Sequence, residues 1–492
     1  MSSLWYHADR AGGWRRCVAA AILAALFAAL TLPLALREGG TTSEASDERE
    51  YHLPLIRQMA EQWPWIGLRD YRSATTPLYH LTMATVSRYV TDEVVVLRLI
   101  NVAIGAALLL SVMAIAARYV PPWQALAAVL PLACSSYVIG AAAWLTTDNL
   151  GWLWVSLVLG SALAGATSAR AHLYRSAMAT LAVLTRQIHL WVVAVMVVVE
   201  GTGARRHEGT QEGSGFGVRG SVENDEGRSP KPQRMTNDED RVRAIDNRES
   251  QIERRKSKIE NRKSKIARAI ACLPPVLAVA VFAAIWGGLT PPSFRTQHAG
   301  GVNPAMAPLA LSLAGAYGLF FLPAAWGARR AANWVPWTAA TFALLAAIVI
   351  PSAYNKDAGR WGGAMWEVAH RLPAPFGRSI VLVMLAPIGA IVLGLLYHQA
   401  KASGRGRPAR IMLIAMAAWL AAQCFNSQAW QRYAEPMVLI GLAALACMGR
   451  GGDGPARSDD AVRWWVGPLC LAVLLLAYNL IVTYSLLPSP LP

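Results

Sequence analysis

The sequence predicts an all-α, polytopic integral membrane protein of about 11–13 transmembrane helices with a large first extracytoplasmic loop. Three observations carry this. Of the 492 residues, 54% are hydrophobic and 15% are charged, and the mean hydropathy is +0.33. Apolar runs of about eighteen to twenty-five residues recur along the chain, which is the length a bilayer span needs. Alternating segments of about ten residues, the mark of a membrane β-barrel, do not occur. Backbone groups in lipid must be satisfied within their own segment, so the spans are helices.

The apolar runs fall near 17–36, 97–117, 122–142, 150–168, 270–289, 307–326, 334–352, 379–398, 410–424, 435–448 and 464–487. The first follows Arg15 and Arg16 and ends in Leu34-Ala35-Leu36-Arg37 with no small-x-small site, so it reads as an uncleaved anchor. Arg10, Arg15 and Arg16 place the amino terminus inside and 37–96 outside. Arg118 is then inside, Asp148 outside, and Arg170 and Arg175 inside. Segment 176–200 decides the rest. As one span it would put the short basic loops at Arg329-Arg330 and Lys401 to Arg410 outside. As a pair that enters and returns, with Arg186 at its outer tip, it keeps those loops and 450–463 inside. Short basic loops follow the positive-inside rule, so the returning pair is expected, with limbs of about ten to thirteen residues.

The same rule accounts for the net charge of +16, which is not a nucleic-acid signature here. The six cysteines, Cys17, Cys134, Cys272, Cys424, Cys447 and Cys470, lie in or beside apolar segments without metal-ligand spacing. They read as packed small hydrophobes.

The chain divides into three regions. Residues 1–200 form a membrane module with the extracytoplasmic loop 37–96. Residues 201–268 are a basic, cytoplasmic insertion. Residues 269–492 form a second membrane module with extracytoplasmic loops 290–306, 353–378 and 425–434. The insertion is rich in Gly, Glu, Arg and Asn, and its few apolar residues cannot offset ordering entropy, so disorder is expected. Within it Ile252-Glu253-Arg254-Arg255-Lys256-Ser257-Lys258 nearly repeats as Ile259-Glu260-Asn261-Arg262-Lys263-Ser264-Lys265. That repeat could lie along an anionic membrane face, and has too few apolar positions for a coiled coil.

With this topology, chemistry collects on one face. The inside loops hold mainly Arg, Lys, Gly and Pro. The outside loops hold Asp47, Glu48, Glu50, His52, Asp70, His80, Asp148, His189, His298, His370 and Glu435, with Trp63, Trp65, Trp361, Trp366 and Trp430. Aromatic rings that stack on a pyranose and carboxylates that accept its hydroxyls suit sugars, although an interfacial aromatic belt accounts for part of the Trp. Arg186, inside Leu184-Thr185-Arg186-Gln187-Ile188-His189, is an ionisable residue in an otherwise apolar stretch. It reads either as an ion pair with a loop acid or as a bidentate phosphate clamp, a role for which Arg360 and Arg432 compete.

The acid pair followed by Tyr51-His52-Leu53-Pro54, the Thr75-Thr76-Pro77-Leu78-Tyr79 segment, Leu145-Thr146-Thr147-Asp148 and Thr185-Arg186-Gln187 occur in one order. That order resembles the membrane α-1,2-glucosyltransferases that add the terminal glucose to the dolichol-linked oligosaccharide, and more broadly the GT-C superfamily. The resemblance covers about residues 15–200, with the remainder similar in layout. It implies a GT-C-like fold, a polyprenyl-phosphate sugar donor and a catalytic acid in the first outer loop. It also implies substrate contacts from His52, Tyr79, Asp148, Arg186 and Gln187. The acid pair stands one residue further from His52 than in that family, so Asp47 and Glu48 both stay open as the base.

The expected activity is therefore extracytoplasmic transfer of a sugar from a polyprenyl-phosphate donor to a glycan, lipid or protein acceptor, by inverting displacement, in a bacterial inner membrane. Arg186 holds the donor phosphate, helped by Arg360 or Arg432, and Asp47 takes the acceptor proton, with Glu48 as second choice. No cofactor is required, with a divalent cation between Asp47 and Glu48 as the variant. The rival readings are a transporter or flippase of lipid-linked saccharides, and a polymerase or ligase that transfers a whole glycan. One prediction tests the topology. Ser229→Cys should resist an impermeant maleimide in intact cells and react after lysis; labelling from outside overturns the returning pair.

Overall fold

The computed structural model describes residues 10–37, 39–40, 42–201, 269–295, 301–325, 333–450 and 464–485, with Gln251, Arg255 and Ile266. The insertion 201–268, apart from Gly201 and those three residues, lies outside the described residues, as do His298 and Arg329-Arg330. Within the described residues the regular structure is helical, with a single isolated bridge between Asn355 and Arg360. The chain is an all-α, multi-pass membrane protein.

Helix α1 (Arg10–Ala35) is followed by a run of short helices: α2 (Ser43–Asp47), a π-type turn (Glu48–His52), α3 (Leu53–Gln62) and α4 (Leu78–Tyr89). The expected outer loop 37–96 is thus mostly helical. Its helices are short and two-faced: α3 and α4 turn Leu55, Ile56, Met59, Tyr79 and Met83 into a separate small core with Phe282 and Trp286. Next come α5 (Val94–Ala116), α6 (Pro122–Ala133), α7 (Ser136–Ala143), α8 (Asp148–Leu163), α9 (Ala169–Thr185), a 3₁₀ turn (Gln187–Trp191) and α10 (Val192–Gly201). The second half holds α11 (Ala269–Trp286), α12 (Met306–Gly318), α13 (Leu322–Ala325), α14 (Val335–Val349), α15 (Ala364–Arg371), α16 (Ile380–Ala402), α17 (Gly406–Cys424), α18 (Gln431–Arg450) and α19 (Val466–Ser485).

Six described helices are long and apolar enough to cross a bilayer, and a bent pair makes a seventh. Three more apolar helices are shorter, so fewer full-length spans are seen than the expected 11–13. The difference has local causes. The run 122–142 breaks at Cys134-Ser135 into α6 and α7, which meet at 74°. The stretch 176–200 breaks at Arg186, whose extended backbone cannot continue the helix. The first limb also begins earlier than expected, at Ala169, and takes in Arg170 and Arg175.

Basic side chains close one end of the bundle by capping carbonyls at helix ends. Arg118 Nη1 donates to Gly160 O, Arg405 Nη1 to Tyr119 O (3.2 Å), Arg407 Nη2 to Val199 O (2.7 Å) and Arg450 Nη2 to Pro323 O (2.6 Å). Cations belong there, because the last turns of these helices carry unpaired carbonyls and the negative end of the dipole. Val199 sits at this end, whereas Arg186 lies at the other end beside Asp148. Helices α9 and α10 therefore run to the loop end and back. In the middle, α12 and α16 pack backbone to backbone at Gly315 and Gly389, where a Cβ would meet main-chain atoms of the facing helix. Gly389→Leu should strongly destabilise the purified protein, whereas Gly377→Leu, in the open loop, should cost less; equal melting curves in detergent would refute this packing.

Candidate active site

The acid pair is split by helix geometry. Consecutive residues on a helix point about 100° apart, so Asp47 and Glu48 cannot serve one centre. Glu48 turns inward, where Arg98 Nε lies 3.1 and 3.0 Å from its two carboxylate oxygens and Nη2 makes a further short contact. Leu145 N donates to the same carboxylate at 2.8 Å. Arg98 also donates to Arg37 O (2.8 Å) and lies 4.4 Å from the centroid of Trp144. With side chains 8% and 4% exposed, the pair is a saturated structural clamp, which leaves Glu48 no lone pair facing a substrate.

Asp47 points the other way, into the space shared with Arg432. Its Oδ2 accepts from Arg432 Nη1 at 2.7 Å, and 28% of its side chain is accessible. A second pair stands beside it: Asp148, at the start of α8, with Arg186, at the break after α9. The two guanidinium carbons lie 5.3 and 5.2 Å from the ring centroid of Tyr433, so one aromatic face gathers both cations. Four sequence candidates from distant parts of the chain, Asp47, Asp148, Arg186 and Arg432, thus converge.

The other candidates have different partners. His52 Nδ1 lies 2.8 Å from His80 Nε2, and His80 Nδ1 lies 2.6 Å from Tyr71 Oη, forming a buried relay behind the acids. Burial drives this arrangement: it pushes the His52 imidazole down to about 4, against the raising pull of Asp47, and lowers His80 as well. Both rings are neutral at working pH. Because the folded value lies below the ordinary 6.5, the relay's contribution to stability is complete above pH 6.5 and is lost as pH falls through about 4. Tyr79 Oη donates to Asn101 Oδ1 (3.3 Å), whose amide nitrogen ties the Ala141 and Trp144 carbonyls at 2.6 Å each. Gln187 Nε2 donates to Ala74 O (2.7 Å) and Leu289 O (3.1 Å), pinning the tip of the returning pair to two loops. Arg360 Nε donates to Ala353 O (2.8 Å) within its own hairpin. Gln187 and Arg360 thus hold backbone, as does Tyr79 through Asn101.

Several participants carry no motif that marks them in the sequence. Glu44 precedes Asp47 by three residues, the spacing that puts two side chains on one helical face. It is buried, and burial raises its carboxyl above the ordinary value despite the nearby Arg432. Glu44 and Asp47 both line a cavity of about 380 Å³ walled by α1, α7, α19, Trp361 to Gly363, Trp430 and Arg432. Below it, Glu435 accepts from Ser135 Oγ (2.6 Å), Tyr317 Oη (2.7 Å) and Gln431 Nε2 (2.7 Å), which fixes the first turn of α18 and hence Arg432. Among the described residues no cluster of three Asp, Glu, His or Cys converges as a metal site, and Asp47 and Glu48 do not face one another.

No family model matches the chain, and no curated protein does. Among solved structures it is similar to ArnT from Cupriavidus metallidurans bound to undecaprenyl phosphate, at 15% identity and a TM-score of 0.39, over 97% of this chain and 89% of that one. The apo state of the same protein aligns over the same shares at 14% identity and a TM-score of 0.33. At these values the likeness decides nothing about this chain's chemistry.

The split of the acid pair is testable. Glu48→Gln leaves Arg98 a buried cation without its counter-charge and should cost about 3 kcal/mol or more, whereas Asp47→Asn should cost little. Thermal or denaturant unfolding of the two variants in the same detergent checks this. Equal stabilities would show that Glu48 is not the clamp.

Proposed function

We propose that the protein is a membrane glycosyltransferase of the GT-C type. It moves a sugar from a polyprenyl-phosphate donor to an acceptor at the extracytoplasmic face of a bacterial inner membrane. The observation that carries this reading is the double pair around Tyr433: two arginines able to hold one phosphate, beside a partly accessible carboxylate on the wall of a cavity. The ordered motifs of the first 200 residues add to it.

Without substrate, each guanidinium is neutralised by an aspartate. A lipid phosphate that enters between them competes with Asp47 for Arg432 and with Asp148 for Arg186, offering oxygens in bidentate geometry. As Arg432 turns to the phosphate, the Asp47 carboxylate is freed to accept a hydrogen bond from the acceptor hydroxyl. The acceptor hydroxyl oxygen then bonds to the anomeric carbon and its proton passes to Asp47. The bond from that carbon to the phosphate oxygen breaks, and prenyl phosphate leaves with the electron pair, stabilised by both arginines. A single displacement with the base opposite the leaving group inverts the anomeric configuration.

Asp47→Asn should lower transfer at least about a hundredfold, since a positioned base is worth roughly 10²–10⁴. It should also tighten binding of undecaprenyl monophosphate, because Arg432 no longer has a competing carboxylate. Native mass spectrometry reads the binding and release of prenyl phosphate reads the transfer; near-normal transfer, or weaker lipid binding, would remove Asp47 from this role. Arg186→Lys should raise KM for the donor or lower its turnover, with Arg186→Ala worse, because lysine keeps the charge and loses the fork. If both kinetic constants are unchanged in the two variants, Arg186 only pairs with Asp148.

A further inference from the structure

The cavity beside Asp47 has a chemistry that the phosphate clamp does not use. Its volume of about 380 Å³ sits near the lower end of small-ligand pockets, roughly 300–1,000 Å³, and suits a single ring with its substituents. The lining mixes indole and phenol rings with carboxylates and hydroxyls, and only three aliphatic side chains, Leu34, Ile139 and Val482, face it. A prenyl tail would leave Glu44, Asp47 and Arg432 desolvated against hydrocarbon, a costly arrangement. A polyol offers those groups hydroxyl donors and oxygen acceptors. Two buried donors on the wall, Trp430 Nε1 and Arg432 Nε, have no hydrogen-bond partner among the described residues, so the site asks for acceptor atoms.

The wall is shaped by glycine. Gly363 has φ +130°, and a Cβ there would lie 2.6 Å from Tyr137 Oη. A Cβ on Gly140 would lie 3.1 Å from the Glu44 carboxyl carbon. Both glycines leave room for polar groups that line the space: Glu44 keeps its place against α7, and Tyr137 its place against the Trp361–Gly363 segment.

We propose that this cavity is the acceptor subsite, that it takes one neutral pyranose ring, and that Glu44 is the residue that selects it. The word acceptor rests on the glycosyltransferase reading; sugar binding does not. Trp430, which stacks on Tyr433 at 5.5 Å between ring centroids, carries the wall from the cavity to the phosphate clamp. A ring held here brings a hydroxyl to Asp47. Glu44 sits one helical turn before Asp47 and hydrogen-bonds a second hydroxyl, so it sets which sugar and which position react.

The test uses the full-length protein in a detergent without a sugar head group. Methyl hexopyranosides are titrated and read by saturation-transfer NMR, and donor cleavage is followed separately by release of prenyl phosphate. Wild type should bind at least one methyl hexopyranoside. Glu44→Gln and Trp430→Phe should each weaken that binding about tenfold, the size of one lost hydrogen bond to a carboxylate or from an indole N–H. Glu50→Gln, on the exposed side of the π-type turn, should not change it. Because Gly363→Ala risks a folding defect, it is compared with the milder Gly140→Ala, which should weaken binding with the melting curve preserved. If no methyl hexopyranoside binds wild type, or if Glu44→Gln and Trp430→Phe bind as wild type does, the proposal is wrong. Saturation transfer to a prenyl chain that is lost on Ile139→Trp would place lipid in the cavity and also overturn it. Sugar binding without any donor cleavage by wild type would sink the glycosyltransferase reading and leave the sugar site standing.

Discussion

The buried Glu48–Arg98 pair is the constraint on which the site depends. A buried arginine in the second turn of an apolar helix cannot remain unpaired without a large desolvation cost. It takes both carboxylate oxygens of Glu48, the carbonyls at the end of α1 and, through Glu48, the Leu145 amide that leads into α8. Four chain segments are thereby held at one point. Because Glu48 must face Arg98, the preceding residue is forced to the opposite side of the turn, toward Arg432. The π-type turn that starts at Glu48 accommodates this change of direction before α3 resumes ordinary helical geometry.

On that opposite side the charges balance. Two aspartates and two arginines meet around Tyr433, and their sum is near neutral, which lets them gather at the edge of a low-dielectric environment. Balance also makes the site responsive. In a cluster whose charges cancel pairwise, an added anion competes with a carboxylate for its arginine, which is the coupling that the proposed reaction would use. A lone arginine clamp with a remote base would lack that coupling. The arrangement distinguishes Asp47, whose pair with Arg432 is partly accessible, from Glu48, whose pair with Arg98 is sealed.

The helical class and most span positions were legible because apolar length reports them directly. The convergence of Asp47, Asp148, Arg186 and Arg432 was legible only in part: each stood out as a charge near an apolar run, but Arg432 shared its claim equally with Arg360. Nothing local separates those two. Arg360 sits in a Gly-flanked hairpin and donates to its own loop, whereas Arg432 opens a helix fixed from below by Glu435, and only the fold reveals this. Glu48 stayed open as the second choice of base because its hidden partner, Arg98, lies in an apolar run that gives no sign of the pairing. Glu44 carried a usable signal, the three-residue spacing to Asp47. Gln187 and Tyr79 looked like ligand contacts because they stand in the motifs that resemble a sugar-transferring family, and here they hold backbone carbonyls directly or through Asn101.

Breaks in the helices shape the site as much as the charges do. The chain leaves regular α-helix at Glu48 to His52, at Cys134-Ser135, at Arg186 and at the glycine pair before α15, and residues at or next to each break border the site. Irregular backbone at membrane depth is tolerated only where protein or a polar cavity satisfies the freed groups. Here each break has a local solution: Ser135 reaches Glu435, Gln187 ties two carbonyls, and the Gln431 side chain accepts from Met365 N at 2.8 Å. A continuous helix at any of these points would bury its side chains against a neighbour and close the space. The same departures that shorten the spans are therefore what open a cavity with charged groups on its wall, Asp47 among them.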